Sequence, residues 1–158
     1  MACEWTHQIS YSPGLIAICI SKNCATASNI KKTKGFGVNL VSIDQPKMSS
    51  VAGNYSGKQV DKIGALMELG FEFYKAKKLD VLMVKNAALN VECKLLKIVE
   101  FGDYLMFVGE AVEASKDLNI EPLAYHDGKY WQMTTPLEKP SQEERQKLGE
   151  IVEKYTKK

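Results

Sequence analysis

Arginine is almost missing from this chain. Arg145 is the only one, although Lys and Arg together account for 21 of the 158 residues. Proteins that read base edges in a DNA duplex depend on arginine, because its planar fork makes bidentate hydrogen bonds. The formal net charge of +2 is also small, whereas nucleic acids and anionic membranes attract strongly basic proteins. We therefore expect no nucleic-acid partner.

Long apolar runs are missing as well. No stretch of the sequence approaches the roughly 20 apolar residues of a membrane-spanning helix. Residues 1–14 carry Glu4, Thr6 and His7 where a signal peptide has its apolar segment. The sequence therefore predicts a cytoplasmic protein without a leader and without a membrane partner.

Metal-binding spacings are also absent. The chain has four cysteines and two histidines, and no two cysteines form a C-x-x-C pair. Structural zinc sites need four ligands in closely spaced pairs, so we expect no metal. Cys19 and Cys93 occupy apolar, strand-like positions and are predicted to be buried thiols. Cys24 lies in a polar loop and is the candidate for a reactive thiol.

The familiar signatures of catalysis by side chains do not occur. The sequence has no Walker loop, no GxGxxG, no HExxH, no Ser-His-Asp order and no paired carboxylates. If this protein carries out chemistry, a bound cofactor has to supply the reactive atoms.

What the chain does contain is a strand–helix–strand unit over residues 15–40. The apolar run 15–20 predicts a buried strand, and residues 21–29 supply small and polar side chains. A short helix ending at Gly35 and a second strand over 36–41 are predicted next. A helix N-terminus behind a strand can bind an anion, because free N–H groups and the positive end of the helix dipole point outward. An ordinary capped helix is the alternative, and the local pattern alone favours it.

The rest of the chain predicts further antiparallel strands and one more short helix. Residues 42–58 are predicted to be a loop, 61–69 a helix and 71–87 irregular. Alternation over 88–95 predicts a half-buried strand whose polar face carries Asn90, Glu92 and Lys94, with a bulge at 95–96. A tight hairpin at 101–104 leads into a central strand over 104–114, and a second hairpin covers 123–133.

The last segment predicts an amphipathic helix. Ser141 and Glu144 form a capping box. Four apolar residues then share one stripe: Leu148, Ile151, Val152 and Tyr155. We divide the chain into a domain over 1–136 and a terminal helix over 137–158 that packs on the same domain or on a second subunit. The length fits one domain, and the strands together predict an antiparallel barrel or rolled sheet.

Six segments, in order, resemble the flavin reductase-like FMN-binding split-barrel family. MACEWTHQISYSPGLIAICIS resembles the opening of that family, and SKNCATASNI resembles its phosphate loop. GFGVNLVS resembles the strand that follows, and GNYSGKQVDKI resembles the family's Ser-Gly-Arg-x-x-Asp-Lys segment. NVECKLLKIVEFGDYLMFVGEAVEA and EPLAYHDGKYW resemble its two later hairpins. The resemblance extends from residue 1 to about residue 133.

The resemblance implies a mainly β, antiparallel Greek-key split barrel that binds FMN non-covalently, as a homodimer with the flavin near the subunit interface. The implied flavin ligands are Ala2, Cys3, Glu4 and Trp5 along the isoalloxazine ring, Ser21, Lys22, Thr26 and Asn29 at the phosphate and ribityl chain, and Ser56, Gly57 and Lys58 in a second loop. His126 would lie near a bound nicotinamide, although an exposed turn histidine is an equal alternative.

Three features depart from the family pattern. The strand that normally precedes the opening motif has no counterpart, and Met1 stands at the Met of that motif, so either the protein starts late or an N-terminal piece is missing. A barrel without that strand exposes an edge. Lys58 replaces an arginine, and lysine cannot form the same bidentate fork. Tyr104 follows Asp103 where the family has histidine.

Three functions therefore remain open. The resemblance implies an NAD(P)H-dependent flavin reductase, with NADH or NADPH as the electron donor and free flavin, iron(III) or a partner protein as the acceptor. The second is an FMN-carrying electron-transfer protein, similar to a flavoredoxin, without significant NAD(P)H turnover. The third is a split barrel that has lost flavin and serves only in binding or structure.

Overall fold

The computed structural model describes residues 1–155. Within that range the elements are β1 (Thr6–Tyr11), β2 (Gly14–Ser21), α1 (Ala25–Thr33), β3 (Gly35–Leu40), α2 (Pro46–Asn54), α3 (Lys62–Glu68), β4 (Phe73–Lys75), β5 (Leu82–Val84), β6 (Leu89–Phe101), β7 (Tyr104–Lys116), β8 (Ala124–His126), β9 (Lys129–Trp131) and α4 (Gln142–Glu153). The described strand pairs are antiparallel. The prediction of a mainly β, antiparallel protein with helices is confirmed.

The main sheet has five strands in the order β1-β2-β7-β6-β3. The predicted central strand is confirmed, because β7 lies between β2 and β6. The predicted tight hairpin is confirmed too: Phe101 pairs with Tyr104, and Gly102 adopts the positive φ of +54° that the turn requires. Closure into a barrel is not observed in the described residues, where β1 and β3 remain the two edges. At one of these edges, the side chains of β1 are almost all exposed.

The main core lies between this sheet and α1. Ala27 and Ile30, one helical turn apart, turn the same face of α1 toward the sheet, where Phe107 is completely buried. Gly109 is needed here because the chains approach closely: a Cβ at this position would lie 2.7 Å from Cζ of Phe36. This packing fixes where the first turn of α1 stands relative to the end of β2.

A second, smaller core corrects the loop predicted over 42–58. Residues 46–54 form α2, with Pro46 at its start, where a missing N–H costs nothing. Met48 is buried from α2 against Leu66 of α3 and Val84 of β5. The prediction was wrong here because serine and glycine mask an apolar spacing that is completed only by a tertiary partner. The helix predicted over 61–69 is confirmed as α3.

The end of α1 also differs from the prediction. Lys34, rather than Gly35, takes the left-handed conformation, with φ of 57°, and its N–H bonds to the carbonyl of Ile30. Gly35 instead begins β3, opposite Lys94. A Cβ on Gly35 would lie 3.1 Å from Leu79, so the strand position, not the helix end, favours glycine there.

Two residues of the predicted polar face of β6, Asn90 and Glu92, are buried, contrary to prediction, whereas the third, Lys94, is exposed as predicted. Asn90 is 8% exposed and Glu92 is 4% exposed. Residues 71–87, predicted to be irregular, form the β4–β5 hairpin and a loop that cover this face. Asn90 donates to the Tyr74 hydroxyl at 3.0 Å, and Glu92 accepts three backbone N–H groups of residues 77–79. The bulge predicted at 95–96 is confirmed by a register shift there.

The C-terminal elements follow the prediction locally. β8 and β9 form the second hairpin, and α4 has the predicted capping box between Ser141 and Glu144. The four stripe residues are more than half exposed, from 51% at Leu148 to 80% at Tyr155. Packing of α4 on the domain or on a second subunit, and the division at residue 136, stay predictions. Within residues 1–155, no helix has both the length and the apolar character needed to cross a bilayer.

Candidate functional site

The turn that leaves β2 is fixed on the β6–β7 hairpin. Ser21, the last residue of β2, pairs with Tyr104. The backbone N–H of Lys22 donates to the carbonyl of Asp103 at 3.0 Å, and the N–H of Cys24 returns to the carbonyl of Ser21 at 3.0 Å. The turn is therefore a rigid corner between the sheet and α1.

The N-terminus of α1 carries no side-chain cap. Cys24 is the N-cap residue, in an extended conformation, and its thiol makes no capping hydrogen bond. In the part of the chain that the structure describes, the backbone N–H groups of Ala25 and Thr26 have no protein acceptor. The alternative of an ordinary capped helix is therefore not what is observed. Free N–H groups, with Lys22 beside them, are suited to an anion.

The N-terminal segment runs beside this corner. The carbonyl of Trp5 accepts the N–H of Cys19 at 2.9 Å, and the thiol of Cys3 lies 3.7 Å from the carbonyl of Cys19. The segment then reaches α1, where Sδ of Met1 lies 3.6 Å from Sγ of Cys24. Residues 2–5 therefore run beside the turn, and their contact with a flavin ring stays a prediction.

The side chain of Trp5 closes one side of the space next to the turn. Its ring packs on Tyr104 with a centroid separation of 5.0 Å and an interplanar angle of 56°, which is a favourable tilted aromatic geometry. Trp5 nevertheless remains 57% exposed. An aromatic ring that is fixed on one edge and open on the other can contact a planar ligand.

The second predicted loop reaches the same place. A Cβ added to Gly57 would lie 3.5 Å from Cβ of Ala25, in the first turn of α1. The hydroxyl of Ser56 accepts the backbone N–H of Lys58 at 3.2 Å. The ammonium of Lys62 holds the start of this loop in place. It donates hydrogen bonds to the carbonyls of Ala52 at 2.8 Å and Tyr55 at 3.0 Å.

Three separately predicted segments thus converge at the start of α1. They are residues 2–5, residues 21–29 and residues 56–58. Thr26 is half-buried in the first turn of α1, while Asn29 is exposed one turn further along. Asn29 therefore lies at the rim of the cluster, and the exposed Lys58 side chain does too.

The sequence analysis did not anticipate one charged residue in this cluster. Glu100 of β6 forms an ion pair with the ammonium of Lys22. The hydrogen bond from Lys22 and the charge of Lys22 hold the pKa of Glu100 below its usual range. The two residues are 78 positions apart and meet only because of the sheet register. The sheet register also brings Asp103 and Tyr104 to the site. The resemblance had marked only Tyr104, as a departure from the family pattern.

His126 is not part of this cluster within one chain. Its hairpin follows the bridge between Ser42 and Pro122, just beyond the last residue of β3. That end of the sheet lies at Lys116 of β7, twelve residues from Tyr104, or about 40 Å along the strand. The side chain of His126 is exposed. In a single chain, His126 is therefore an exposed turn histidine, which was the alternative to a role beside the nicotinamide.

Cysteine placement follows the prediction in part. Cys93 is completely buried, and burial raises the pKa of its thiol to about 12. Cys19 is only partly buried, because its place in β2 puts its side chain on the opposite sheet face from the core residues Ile18 and Ile20. Cys24 is at the site, but its role as a reactive thiol stays a prediction. Within residues 1–155, no cluster of three metal-ligating His, Cys, Asp or Glu side chains occurs.

The fold and site define a class of antiparallel β-proteins in which an uncapped helix N-terminus, a lysine and an open aromatic ring share one corner of the sheet. Comparison with known proteins narrows this class. Residues 1–134 match the family model described as the flavin reductase like domain. The chain belongs to this flavin reductase-like family.

The curated relatives include proteins with and without a named activity. An uncharacterised protein of Archaeoglobus fulgidus is 32% identical over 115 residues, covering 73% of this chain and 63% of the relative. A second, of Pyrococcus abyssi, is 26% identical and covers 71% and 62%. The chain therefore spans less than two thirds of the length of these two relatives. A ferric-chelate reductase (NAD(P)H) of Archaeoglobus fulgidus is 28% identical over 121 residues, covering 76% and 69%.

Solved structures share the fold. The flavoredoxin of Methanosarcina acetivorans has a TM-score of 0.78 at 24% identity, covering 90% of this chain and 81% of the other. The NADH:FAD oxidoreductase of Streptomyces globisporus C-1027, solved with NAD and FAD fragments, has a TM-score of 0.73 at 20% identity, covering 84% and 75%.

Proposed function

We propose that this protein binds FMN non-covalently and acts as an NAD(P)H-dependent flavin reductase. The observation that carries the proposal is the uncapped N-terminus of α1, which stands beside Lys22 on the fold of the flavin reductase-like family. Free flavin, iron(III) or a partner protein would accept the electrons. A bound flavin supplies reversible hydride and electron transfer, which the side chains of this chain cannot supply.

The residues at the corner fit the phosphate end of FMN. The free N–H groups of Ala25 and Thr26 and the hydroxyls of Ser21 and Thr26 are donors, and the ammonium of Lys22 supplies charge. Asn29, at the rim, would reach the ribityl chain. Charge-assisted hydrogen bonds to phosphate are about twice as strong as neutral ones, so this corner would contribute much of the affinity.

The neighbouring segments fit the ring end. Ala2, Cys3 and Glu4 would offer backbone groups to the isoalloxazine edge, and Trp5 would border it. Gly57 leaves room beside Ala25 that a larger side chain would fill. The roles of Ser56 and Lys58, at the mouth of the loop, are to line the site.

We propose that the active form is a homodimer. His126 lies at the other end of the sheet from the corner, so within this proposal it would meet a nicotinamide only in the site of a second subunit. Its hairpin carries exposed apolar side chains, including Tyr125 at 55% and Trp131 at 50%, which are suited to a subunit contact.

The direct test is a titration of the purified chain with FMN. We expect flavin absorbance bands that survive desalting, and at least a tenfold weaker affinity for the double variant Lys22→Ala, Thr26→Ala, because each lost bond to phosphate contributes about 1.5–3 kcal/mol. Lys32→Ala is the matched control, since it removes the same charge from the other end of α1. Unchanged affinity in the double variant would show that the phosphate lies elsewhere, and the absence of any binding would leave the flavin-free alternative.

The position of the ring can be tested separately with tryptophan fluorescence. The chain has two tryptophans, so in Trp131→Phe the tryptophan emission comes from Trp5 alone. We expect FMN to quench this emission strongly, because the ring would lie beside Trp5. Binding of FMN without a change in Trp5 emission would contradict the proposed ring position.

An electron carrier similar to flavoredoxin is the second candidate, and the location of His126 favours it, because within one chain this histidine follows the end of the sheet that lies away from the corner. Stopped-flow mixing of the FMN-loaded protein with NADH and with NADPH separates the two functions. Bleaching of the flavin within seconds supports the reductase. Its absence with both nucleotides leaves the electron carrier. In a reductase, His126→Ala should slow bleaching without weakening FMN binding.

A further inference from the structure

We infer that Glu100 is a specificity-determining residue of this site: by holding the ammonium of Lys22, it weakens the preference for flavins that carry a phosphate over those that do not. This inference rests on the proposed flavin site. It assigns a role to a residue that no local motif singles out.

The two side chains start from fixed positions. The backbone of Lys22 is held by the carbonyl of Asp103, and Glu100 pairs with Leu105 close to the β6–β7 turn. The ion pair therefore spans the width of β7, from the turn after β2 to β6. Because the backbone of Glu100 belongs to the sheet and that of Lys22 is hydrogen-bonded to the β6–β7 turn, side-chain rotation is what separates the ammonium from the carboxylate.

Geometry makes Glu100 a competitor for the phosphate. Lys22 is 34% exposed and Glu100 is 68% exposed, so the pair is open to an incoming ligand. A phosphate at the first turn of α1 needs the charge of Lys22, yet it would approach a carboxylate that already shares that charge. A flavin without phosphate does not need the charge of Lys22, so it can bind while the ion pair between Lys22 and Glu100 stays intact. Glu100 therefore weakens the binding of flavins that carry a phosphate and leaves the binding of flavins without one unchanged.

The charges around Glu100 keep it ionised at neutral pH. The hydrogen bond from Lys22 and the charge of Lys22 lower the pKa of Glu100, and the charge of Lys31 adds a smaller effect in the same direction. Competition for Lys22 therefore operates under the conditions in which FMN itself carries its full charge.

Glu100→Gln tests the inference, with FMN and riboflavin as the two probes. We expect FMN affinity to rise about two- to fivefold, the range that exposed ion pairs supply, and riboflavin affinity to stay unchanged. Glu72→Gln is the matched control, because Glu72 forms a comparable exposed pair with Lys85 at 2.6 Å outside the site. It should alter neither affinity. An equal or lower FMN affinity in Glu100→Gln would overturn the inference.

A double-mutant cycle tests whether the effect passes through Lys22. In a Lys22→Met background, Glu100→Gln should no longer improve FMN binding. A gain of the same size in that background would overturn the role of Lys22. If the wild type binds FMN and riboflavin but their ratio does not shift in Glu100→Gln, this inference alone fails. If the wild type binds neither flavin, the proposed function fails and the inference with it.

Discussion

Replacing Glu92 by glutamine should loosen the loop that holds the β4–β5 hairpin on the sheet. One carboxylate oxygen of Glu92 accepts the N–H of Lys77 at 2.7 Å, and the other accepts those of Lys78 and Leu79 at 2.8 and 3.1 Å. Glutamine has nearly the same size but offers one carbonyl oxygen and one NH₂ group. It can therefore satisfy only one of the two sides.

The size of the effect follows from these bonds. The glutamine oxygen keeps at best the N–H groups of Lys78 and Leu79, while its NH₂ group faces the N–H of Lys77. A buried donor without an acceptor costs about 1–3 kcal/mol, and bonds to a charged acceptor are stronger than bonds to a neutral one. We expect the free energy of unfolding at pH 7 to fall by about 2–3 kcal/mol, measured by urea denaturation.

The lowered pKa of Glu92 predicts how the stability loss in Glu92→Gln changes with pH. Burial by itself raises the pKa of Glu92, but the three N–H donors outweigh it and keep the pKa below 4.5. The stabilisation by such a carboxylate is complete above the unfolded pKa and is lost as the pH falls through the lower folded pKa. The stability difference between wild type and Glu92→Gln should therefore shrink as the pH falls below the unfolded pKa and through the lowered pKa of folded Glu92.

The control is Glu113→Gln in the same region. Glu113 accepts only from the ammonium of Lys77, at 3.0 Å, on the surface, so this substitution should change the urea midpoint little. A loss for Glu92→Gln no larger than that of the control, or a difference that stays constant with pH, would refute the reasoning.

Three further predictions concern the core and the C-terminal helix. Gly109→Ala should destabilise the protein by about 1–3 kcal/mol in urea denaturation, because the new Cβ would lie 2.7 Å from the Phe36 ring, whereas Gly14→Ala, with its nearest neighbour at 3.7 Å, should be tolerated. Equal midpoints for the two variants would contradict this. The thiol of Cys93, with its pKa raised to about 12, should resist alkylation at pH 8 until the protein is unfolded. Mass spectrometry would follow the labelling. If Cys93 in the native protein were labelled as fast as the partly exposed thiols, the prediction would be wrong. Ser141→Ala should speed amide exchange at residues 144–145 about fivefold, because an N-cap contributes about 1 kcal/mol and these two N–H groups bond to Ser141. Unchanged exchange would show that the cap is not stabilising.

Features with a local cause could be predicted from the sequence. The hairpin at Gly102, the helix over 61–69 and the capping box at Ser141 each depend on residues within one or two turns of one another, and all three are confirmed. The family was also recognisable, because the order and spacing of six short segments survive where overall identity is low.

Features that depend on a distant partner could not be predicted. α2 was taken for a loop because its buried Met48 gains a partner only when α3 and β5 are in place. Glu92 was assigned to a solvent face because its three N–H donors come from a loop 13 to 15 residues earlier. In both cases the local sequence is polar, as the prediction assumed. Another element of the fold covers the segment and buries side chains that were predicted to be exposed.

The sequence by itself determined the antiparallel β class, the strand–helix corner at residues 15–40 and the segments expected to surround it, since apolar periodicity and turn residues act over short distances. Only the tertiary structure decided that α1 begins without a cap, that Glu100 holds Lys22, and that His126 lies at the opposite end of the sheet. The physical reason is the register of β2, β7 and β6, which brings residues nearly 80 positions apart into contact and moves others away from each other.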